Sequence, residues 1–383
     1  MEIPPLIEQG STLSAEEARR YSRHLALPDI STIGQERLKK SKVLCVGAGG
    51  LGSPVLMYLA AAGIGTLGIV DFDVVDESNL QRQILHGESD IGKSKAASAR
   101  ATILEINSHV NVVVHDVELS NRNALEILGQ YDLIIDGTDN FATRYLINDS
   151  AVLLGKPYVW GSIYRFDGQA TVFWAEHGPC YRCLHPQPAV DVASCAEAGV
   201  LGVLCATIGA IQATEAIKII TGAGTALIGN LMMYNALDMS FEKIEIKKDP
   251  LCDLCSQNAS QHQLLDDYEA FCTSPSSDEI SVFELKERMQ QGKDFLLVDV
   301  REAHEFELVR IPGSILIPMS KFFDGSAIAS LPMKKEIILY CKVGIRSATA
   351  LNILKSAGHN RASHVSGGVL AWVENIEPEL KVY

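Results

Sequence analysis

Lys42-Val-Leu-Cys-Val-Gly-Ala-Gly-Gly-Leu-Gly52 reads as a short apolar strand that runs directly into a glycine-rich turn. The apolar run from Pro54 to Ala62 then reads as a helix. Such a strand, turn and helix bring backbone amides and a helix N-terminus against phosphate. The pattern alone is weak, because a dinucleotide enzyme uses it too. Thr66-Leu-Gly-Ile-Val70 supplies the next strand and ends at Asp71, where an acidic side chain can bind ribose hydroxyls. This much also suits an NAD-dependent dehydrogenase.

The following segment, Asp71-Phe-Asp-Val-Val-Asp-Glu-Ser-Asn-Leu-Gln-Arg-Gln83, separates the two readings. It sets Asn79 and Arg82 just past the ribose position. A nicotinamide enzyme has no need of a cation there, whereas a nucleotidyl transferase must neutralise charge as pyrophosphate leaves. Lys95 begins another helix, and Tyr131-Asp-Leu-Ile-Ile135 is a buried strand leading into Asp136-Gly-Thr-Asp-Asn140. Asp139 then falls at the carboxyl edge of a parallel sheet, a place for the Mg²⁺ that accompanies ATP. Gly87-Glu-Ser-Asp-Ile-Gly-Lys-Ser94 matches the P-loop pattern by letter. Its context fails, since the preceding Arg82-Gln-Ile-Leu-His86 is polar and broken where a buried strand is required.

Cys180-Tyr-Arg-Cys183 and Cys252-Asp-Leu-Cys255 have the local spacing of two knuckles of a tetrahedral Cys₄ zinc site. Four thiolates leave no position open for water, so the zinc would be structural. A pair of redox dithiols is the competing reading, and neither pair sits in a thioredoxin-type context. Near the C-terminus, Glu336-Ile-Ile-Leu-Tyr340 reads as a buried strand and Ser347 to Lys355 as a helix. Between them Cys341-Lys-Val-Gly-Ile-Arg346 forms a tight loop. There the amides, the helix N-terminus and Arg346 can stabilise a sulfur anion, and Gly344 lets the backbone curl. A buried inert cysteine is the bland alternative, and a phosphatase loop normally holds one more residue between its Cys and Arg.

Composition bounds the rest. At 383 residues with 47% hydrophobic composition, the chain is long enough for two globular domains. Met1 to Arg20 has no apolar signal-peptide core. The low-charge stretch Ala198 to Ala213 is too short to span a membrane and reads as a buried helix. Nine cysteines, an odd number with two Cys-x-x-Cys pairs, fit metal and thiol chemistry in a reducing cytoplasmic compartment. A net charge of −14 disfavours broad nucleic-acid binding. Polar Ser256 to Gln263 and Thr273-Ser-Pro-Ser-Ser277 mark the boundary. The expected division is a nucleotide domain over 1–260, a linker over 261–277 and a second domain over 278–383.

From roughly Leu13 to Cys255 the motifs resemble the MoeB/ThiF group of ubiquitin-activating-like adenylyltransferases. From roughly Asp278 to Tyr383, Phe295-Leu-Leu-Val-Asp-Val-Arg301, Glu305, Ile311-Pro-Gly-Ser314, Ile317-Pro318 and the Cys341 loop resemble a rhodanese sulfurtransferase domain. Arg310 departs from the small residue or His common there, with no catalytic consequence expected. The resemblance implies an α/β fold, a Rossmann-like doubly wound adenylation domain with a Cys₄ zinc site followed by a smaller α/β rhodanese domain. It implies that Gly47, Gly49, Gly50, Gly52, Asp71, Asp73, Ser78, Asn79, Arg82, Lys95, Asp139 and Asn140 hold the nucleotide. Arg23, in Arg20-Tyr-Ser-Arg-His24, matches an arginine that reaches the phosphates of a neighbouring subunit, which implies a homodimer. Cys195 corresponds to a crossover-loop cysteine, with thioester chemistry, disulfide chemistry or a structural role open to it.

The implied reaction uses ATP and Mg²⁺ to adenylylate the Gly-Gly carboxylate of a small ubiquitin-fold sulfur carrier. Sulfur then passes from a Cys341 persulfide, loaded by a donor such as a cysteine desulfurase, with Arg346 steadying the loop. Two other classes stand beside it. One is a non-catalytic scaffold, and the other is a modifier-activating enzyme that forms a thioester on Cys195. Pyrophosphate exchange discriminates the first, and a reducible carrier adduct on Cys195 the second.

Overall fold

The computed structural model of the chain describes residues 4–8, 10, 12–186, 188, 199–272 and 278–380. Among these, two compact units divide between Phe271 and Cys272.

The first unit is built on an eight-stranded sheet. Its strands are β1 (Lys42–Val46), β2 (Thr66–Val70), β3 (Asn111–His115), β4 (Leu133–Asp136), β5 (Tyr158–Tyr164), β6 (Asp167–Phe173), β7 (Asn230–Asn235) and β8 (Ser240–Glu245). They lie in the order β3-β2-β1-β4-β5-β6-β7-β8. The neighbours from β3 to β5 are parallel, and those from β5 to β8 are antiparallel. The buried apolar strands β1, β2 and β4 are those of a sheet covered on both faces. By contrast β8 is exposed along its whole length at the sheet edge. The chain moves outward from β1 through β2 to β3, then returns to start β4 on the other side of β1. That reversal puts the topological switch point, where open α/β sheets bind ligands, at the carboxyl ends of β1 and β4.

The helix after β1 spans Gly52–Ala62 and ends on Gly63, whose φ of 84° makes a left-handed C-cap. Pro54 sits in its first turn, where its missing N–H costs no hydrogen bond. The helix Gly202–Thr221 is long and apolar enough to cross a membrane by length and composition. Within the unit it packs against the Gly52–Ala62 helix and against β5 and β6, and Leu204, Ile208, Ala213, Ala216 and Ile220 are buried.

The stretch expected to be a linker begins instead as part of the first unit. Gln261 Nε2 and Tyr268 Oη each donate to Asp149 Oδ2 at 2.8 Å, and Tyr268 begins a short helix to Cys272.

The second unit is a five-stranded parallel sheet of β9 (Glu279–Ile280), β10 (Phe295–Asp299), β11 (Ile315–Leu316), β12 (Glu336–Tyr340) and β13 (Ala362–Val365), in the order β11-β10-β12-β13-β9. Central β12 carries Cys341 at its carboxyl end, the same place in a parallel sheet that the glycine turn takes after β1.

Candidate functional site

In the first unit a pocket opens at the switch point between β1 and β4. Gly47, Gly49, Gly50, Asp71, Asp73, Arg82, Lys95, Asp139 and Asn140 all line it. The glycine turn is required by space as well as by conformation. Gly47 has φ +94°, and a Cβ on Gly52 would lie 1.9 Å from Gly47 O. Gly52 itself is not among the lining residues. It lets the helix start directly against the turn.

Buried Asp71 accepts from Ala48 N at 2.7 Å and from Asp73 N at 2.9 Å. Burial pushes its carboxyl above the usual range against those two amides and the nearby Lys95. The carbonyl of the same Ala48 faces His86 Nε2 at 3.0 Å, which fixes that nitrogen as the donor. His86 Nδ1 pairs with Ser98 Oγ at 2.8 Å, and burial lowers the imidazole's pKa. The turn is therefore clamped at both the N–H and the carbonyl of one residue, Ala48, by side chains far away in sequence.

Lys95 is buried and pairs with the half-exposed Asp73 carboxylate at 2.9 Å. Arg82 donates to Ser78 O at 3.2 Å. Ser78 and Asn79 lie outside the lining residues, in a 3₁₀ turn capped by Asp76, and Ser78 Oγ donates to Asp76 at 2.5 Å. Arg23 is exposed on the short Ser22–Leu25 helix and does not line the pocket of its own chain. Asp139 is exposed at the pocket wall. Asn140 caps the Phe141–Leu153 helix, its Oδ1 accepting from Thr143 N at 2.8 Å. Gln83, Thr138, Arg144 and Cys205 also line the pocket; Gln83 and Thr138 fall inside the quoted segments without a role read for them, and Arg144 and Cys205 stand in no motif. Cys205, read from sequence as core, has its Sγ where a Gly50 Cβ would approach to 2.8 Å. The false P-loop forms a 3₁₀ turn at Glu88–Asp90, with Lys93 paired to Asp90 and none of its residues on the pocket.

The four knuckle cysteines converge, their sulfurs all within 4.8 Å of one another. The measured separations are 3.9 Å for Cys180–Cys183, 3.7 Å for Cys180–Cys252 and 3.4 Å for Cys183–Cys255. A tetrahedral zinc with sulfur at about 2.3 Å has edges of roughly 3.8 Å, so the donor set fits a metal of that size. Hydrogen bonds from the neighbouring sulfurs hold the Cys252 thiol below its ordinary value. Arg182, between the first two cysteines, is held by Asp149 at 2.8 and 2.7 Å. Asp149 is fully buried and serves as the hub for Arg182, Gln261 and Tyr268.

In the second unit Cys341 is buried, and its Sγ accepts from Gly344 N at 3.2 Å and from Ser347 Oγ at 3.7 Å. Gly344 has φ +108° and opens the Ile345–Ser356 helix. The loop is braced from above by Gly367-Gly368. Val369 N donates to Cys341 O at 2.9 Å and Leu370 N to Lys342 O at 3.0 Å. A Cβ on Gly368 would lie 2.4 Å from Cys341 O. Arg346 makes a bidentate pair with Glu305 at 2.6 and 2.7 Å, so its charge is shared with a carboxylate. The rest of the signature supports the strand below. Arg301 and Asp299 form a fully buried pair at 2.7 Å, and Tyr340 Oη accepts from Ile311 N and pairs with Ser314 Oγ. Arg310 stacks on Phe306, with its guanidinium carbon 5.0 Å from the ring centre. Cys195 lies outside the described residues.

The ThiF family model matches residues 21–254, and the rhodanese-like domain model matches residues 281–375. The probable adenylyltransferase/sulfurtransferase MoeZ of Mycobacterium tuberculosis is 51% identical over 395 residues, covering 100% of this chain and 99% of that protein. The adenylyltransferase and sulfurtransferase MOCS3 of Xenopus laevis is 42% identical over 406 residues, covering 97% of this chain and 90% of its own length. The structure of Escherichia coli MccB with ATP aligns with a TM-score of 0.56 at 22% identity, over 63% of this chain and 75% of that one. The last is a likeness of fold.

Proposed function

The chain belongs to the ThiF family and carries a rhodanese-like domain behind it, and from that premise we propose that it adenylylates a small sulfur-carrier protein and then delivers sulfur to it. One observation carries the reading. A pocket at the switch point gathers a glycine turn, Asp71, Arg82, Lys95 and Asp139, in a chain that also holds a cysteine within a strand-to-helix loop. Residues 1–260 are assigned to the first activity and 278–383 to the second.

The carrier has a ubiquitin fold and a flexible C-terminal Gly-Gly. Its carboxylate, already ionised at neutral pH, needs no general base. It attacks the α-phosphorus of ATP, pyrophosphate leaves, and an acyl-adenylate forms. The chain's work is to align two anions and neutralise charge. The turn amides and Arg82 hold phosphate, Asp71 orients the ribose, and Lys95 exchanges Asp73 for the nucleotide. Asp139 would hold Mg²⁺, which would supply further neutralisation of the triphosphate. The exposure of Arg23 away from its own pocket supports a homodimer in which it completes the partner subunit's site.

In the second step Cys341, loaded as a persulfide by a cysteine desulfurase, attacks the acyl-adenylate through its outer sulfur. AMP leaves and an acyl disulfide joins carrier to enzyme. A thiol, assigned to Cys195, then attacks the Cys341 sulfur, which releases the carrier thiocarboxylate and leaves a Cys195–Cys341 disulfide for cellular reductant. The four-cysteine cluster is assigned to structural zinc, and elemental analysis of fresh protein should find one ion per chain. The setting is assigned as cytoplasmic, a reading supported by the Cys-x-x-Cys pairs and the thiol chemistry of the Cys341 loop.

Intact mass of the carrier after incubation with ATP and a persulfide donor tests the whole scheme. Exchange of one oxygen for sulfur at its C-terminus is the expected shift. An adenylylated carrier that never gains sulfur would leave only the first activity, and a carrier held as a thioester on Cys195 would favour modifier activation.

A further inference from the structure

Thr138, the residue immediately before Asp139, is gripped at its N–H and at its carbonyl by two buried side chains, Asp136 and Arg144. Asp136, fully buried at the end of β4, accepts from Thr138 N at 3.0 Å and from Thr138 Oγ1 at 2.7 Å through one carboxylate oxygen. Its other oxygen has no hydrogen-bond partner among the described residues, and its backbone carbonyl is held by Gln212 Nε2 at 2.7 Å. At the carbonyl of Thr138, Arg144 Nη2 donates to the oxygen at 3.2 Å. Arg144 is 7% exposed, lines the nucleotide pocket, and lies between the Phe141 and Trp160 rings at 5.5 and 5.8 Å. A guanidinium so enclosed has few ways to move, and a buried carboxylate with an unpartnered oxygen depends on a nearby positive charge. The two charges make no direct ion pair within 4 Å. They meet at Thr138, Asp136 on its amide and hydroxyl and Arg144 on its carbonyl, so the orientation of that residue is where their attraction is expressed.

We propose that Arg144 is a positioning residue for the 137–140 loop, fixing the direction in which Asp139 presents its carboxylate to a divalent cation bound with nucleotide. The inference rests on the reading of Asp139 as the metal-binding carboxylate. Arg144 touches neither the reacting atoms nor the cation in this role. It acts through Thr138, much as groups behind a metal ligand orient that ligand, where loss of one typically costs about 10–100-fold in metal affinity.

The test measures cation binding directly as well as turnover. Mn²⁺ replaces Mg²⁺, and its paramagnetic signal reports bound metal in the presence of ATP for wild type, Arg144→Lys, Arg144→Met, Thr138→Val and Asp139→Ala, with pyrophosphate exchange followed in parallel. Arg144→Met should weaken Mn²⁺ binding on the order of tenfold or more and lower kcat of exchange comparably, with KM for ATP within about twofold of wild type. Arg144→Lys should recover part of both losses, since an ammonium can still donate to the Thr138 carbonyl. Thr138→Val, which removes only the hydroxyl donor, should fall between wild type and Arg144→Met and keeps the test alive if Arg144→Met does not fold. Arg144 and Thr138 variants that lower thermal stability but bind Mn²⁺ as wild type does would overturn the proposal. Asp139→Ala separates the two readings. If it binds Mn²⁺ normally, the metal assignment fails and this inference with it; if it alone loses Mn²⁺, only the role of Arg144 is lost.

Discussion

The glycine turn after β1 and the cysteine loop after β12 are two uses of one construction. Each follows the carboxyl end of a central parallel strand, each contains a glycine with positive φ, and each leads into a helix. They differ in what occupies the concave side. Gly47 to Gly52 contributes no polar side chain, and the charged groups come from the walls, which suits the proposed binding and release of phosphate. The second loop has a side chain of its own at the centre, with Cys341 Sγ taking the Gly344 amide. On the proposed function, an amide cradle would serve for transient anion binding when empty and for covalent carriage when it contains a nucleophile.

The largest expected effect sets the two loops fully apart. Cys341→Ala should eliminate thiosulfate-to-cyanide sulfurtransferase activity and carrier thiocarboxylate, while carrier-dependent ATP–pyrophosphate exchange continues at the wild-type rate. Thiocarboxylate at normal yield from this variant would reduce the second loop to an accessory. Asp139→Ala is the converse. Exchange should drop on the order of a hundredfold or more with loss of charge stabilisation, leaving rhodanese activity intact, and exchange near wild type would mean that the nucleotide site is misplaced.

Smaller effects come from two glycines that are tight for the same reason. A Cβ would meet Gly47 O from Gly52 and Cys341 O from Gly368, both backbone atoms that yield only if the loop shifts. Each alanine variant should cost about 1–3 kcal/mol of stability in its own unit, measured by denaturant melts. Gly52→Ala should impair exchange alone and Gly368→Ala sulfur transfer alone. Equal loss of both activities in either variant would contradict the comparison. The mildest change is Arg346→Ala. Because Arg346 is shared with Glu305 and an amide still faces the sulfur, sulfur transfer should fall only several-fold, or about 1 kcal/mol, less than the ~1.5–3 kcal/mol of a full hydrogen bond to a charged group. Assay of the isolated persulfide transfer step checks it.

What was legible in the sequence were features compact along the chain. The glycine turn, both Cys-x-x-Cys pairs and the Cys341 loop each fall within a dozen residues, and their spacing implies their geometry. What was not legible depends on partners brought together by folding. His86 and Asp71 meet on Ala48, Arg144 and Asp136 meet on Thr138, and Asp149 collects Arg182, Gln261 and Tyr268. Arg144 looks from sequence like any cation in a helix, and Asp149 like a solvated carboxylate. Gln261 and Tyr268 were lost in a polar stretch that composition marks as linker. The antiparallel extension through β8 was missed because Ser240-Phe-Glu-Lys-Ile-Glu245 buries none of its residues, and so lacks the apolar run by which an inner strand announces itself.

The four-sulfur cluster also sets a timetable for synthesis. Cys180 and Cys183 emerge from the ribosome well before Cys252 and Cys255, and at about 5–20 residues per second the interval lasts roughly 3–14 seconds. During that interval the nascent chain carries a two-thiol half-site, and the Gly202–Thr221 helix and the β7–β8 hairpin are added before the ring of four can close. Asp149 waits longer still, until Tyr268 has been made. The first unit therefore completes its folding at its last residues, when the chain of the second unit is about to begin.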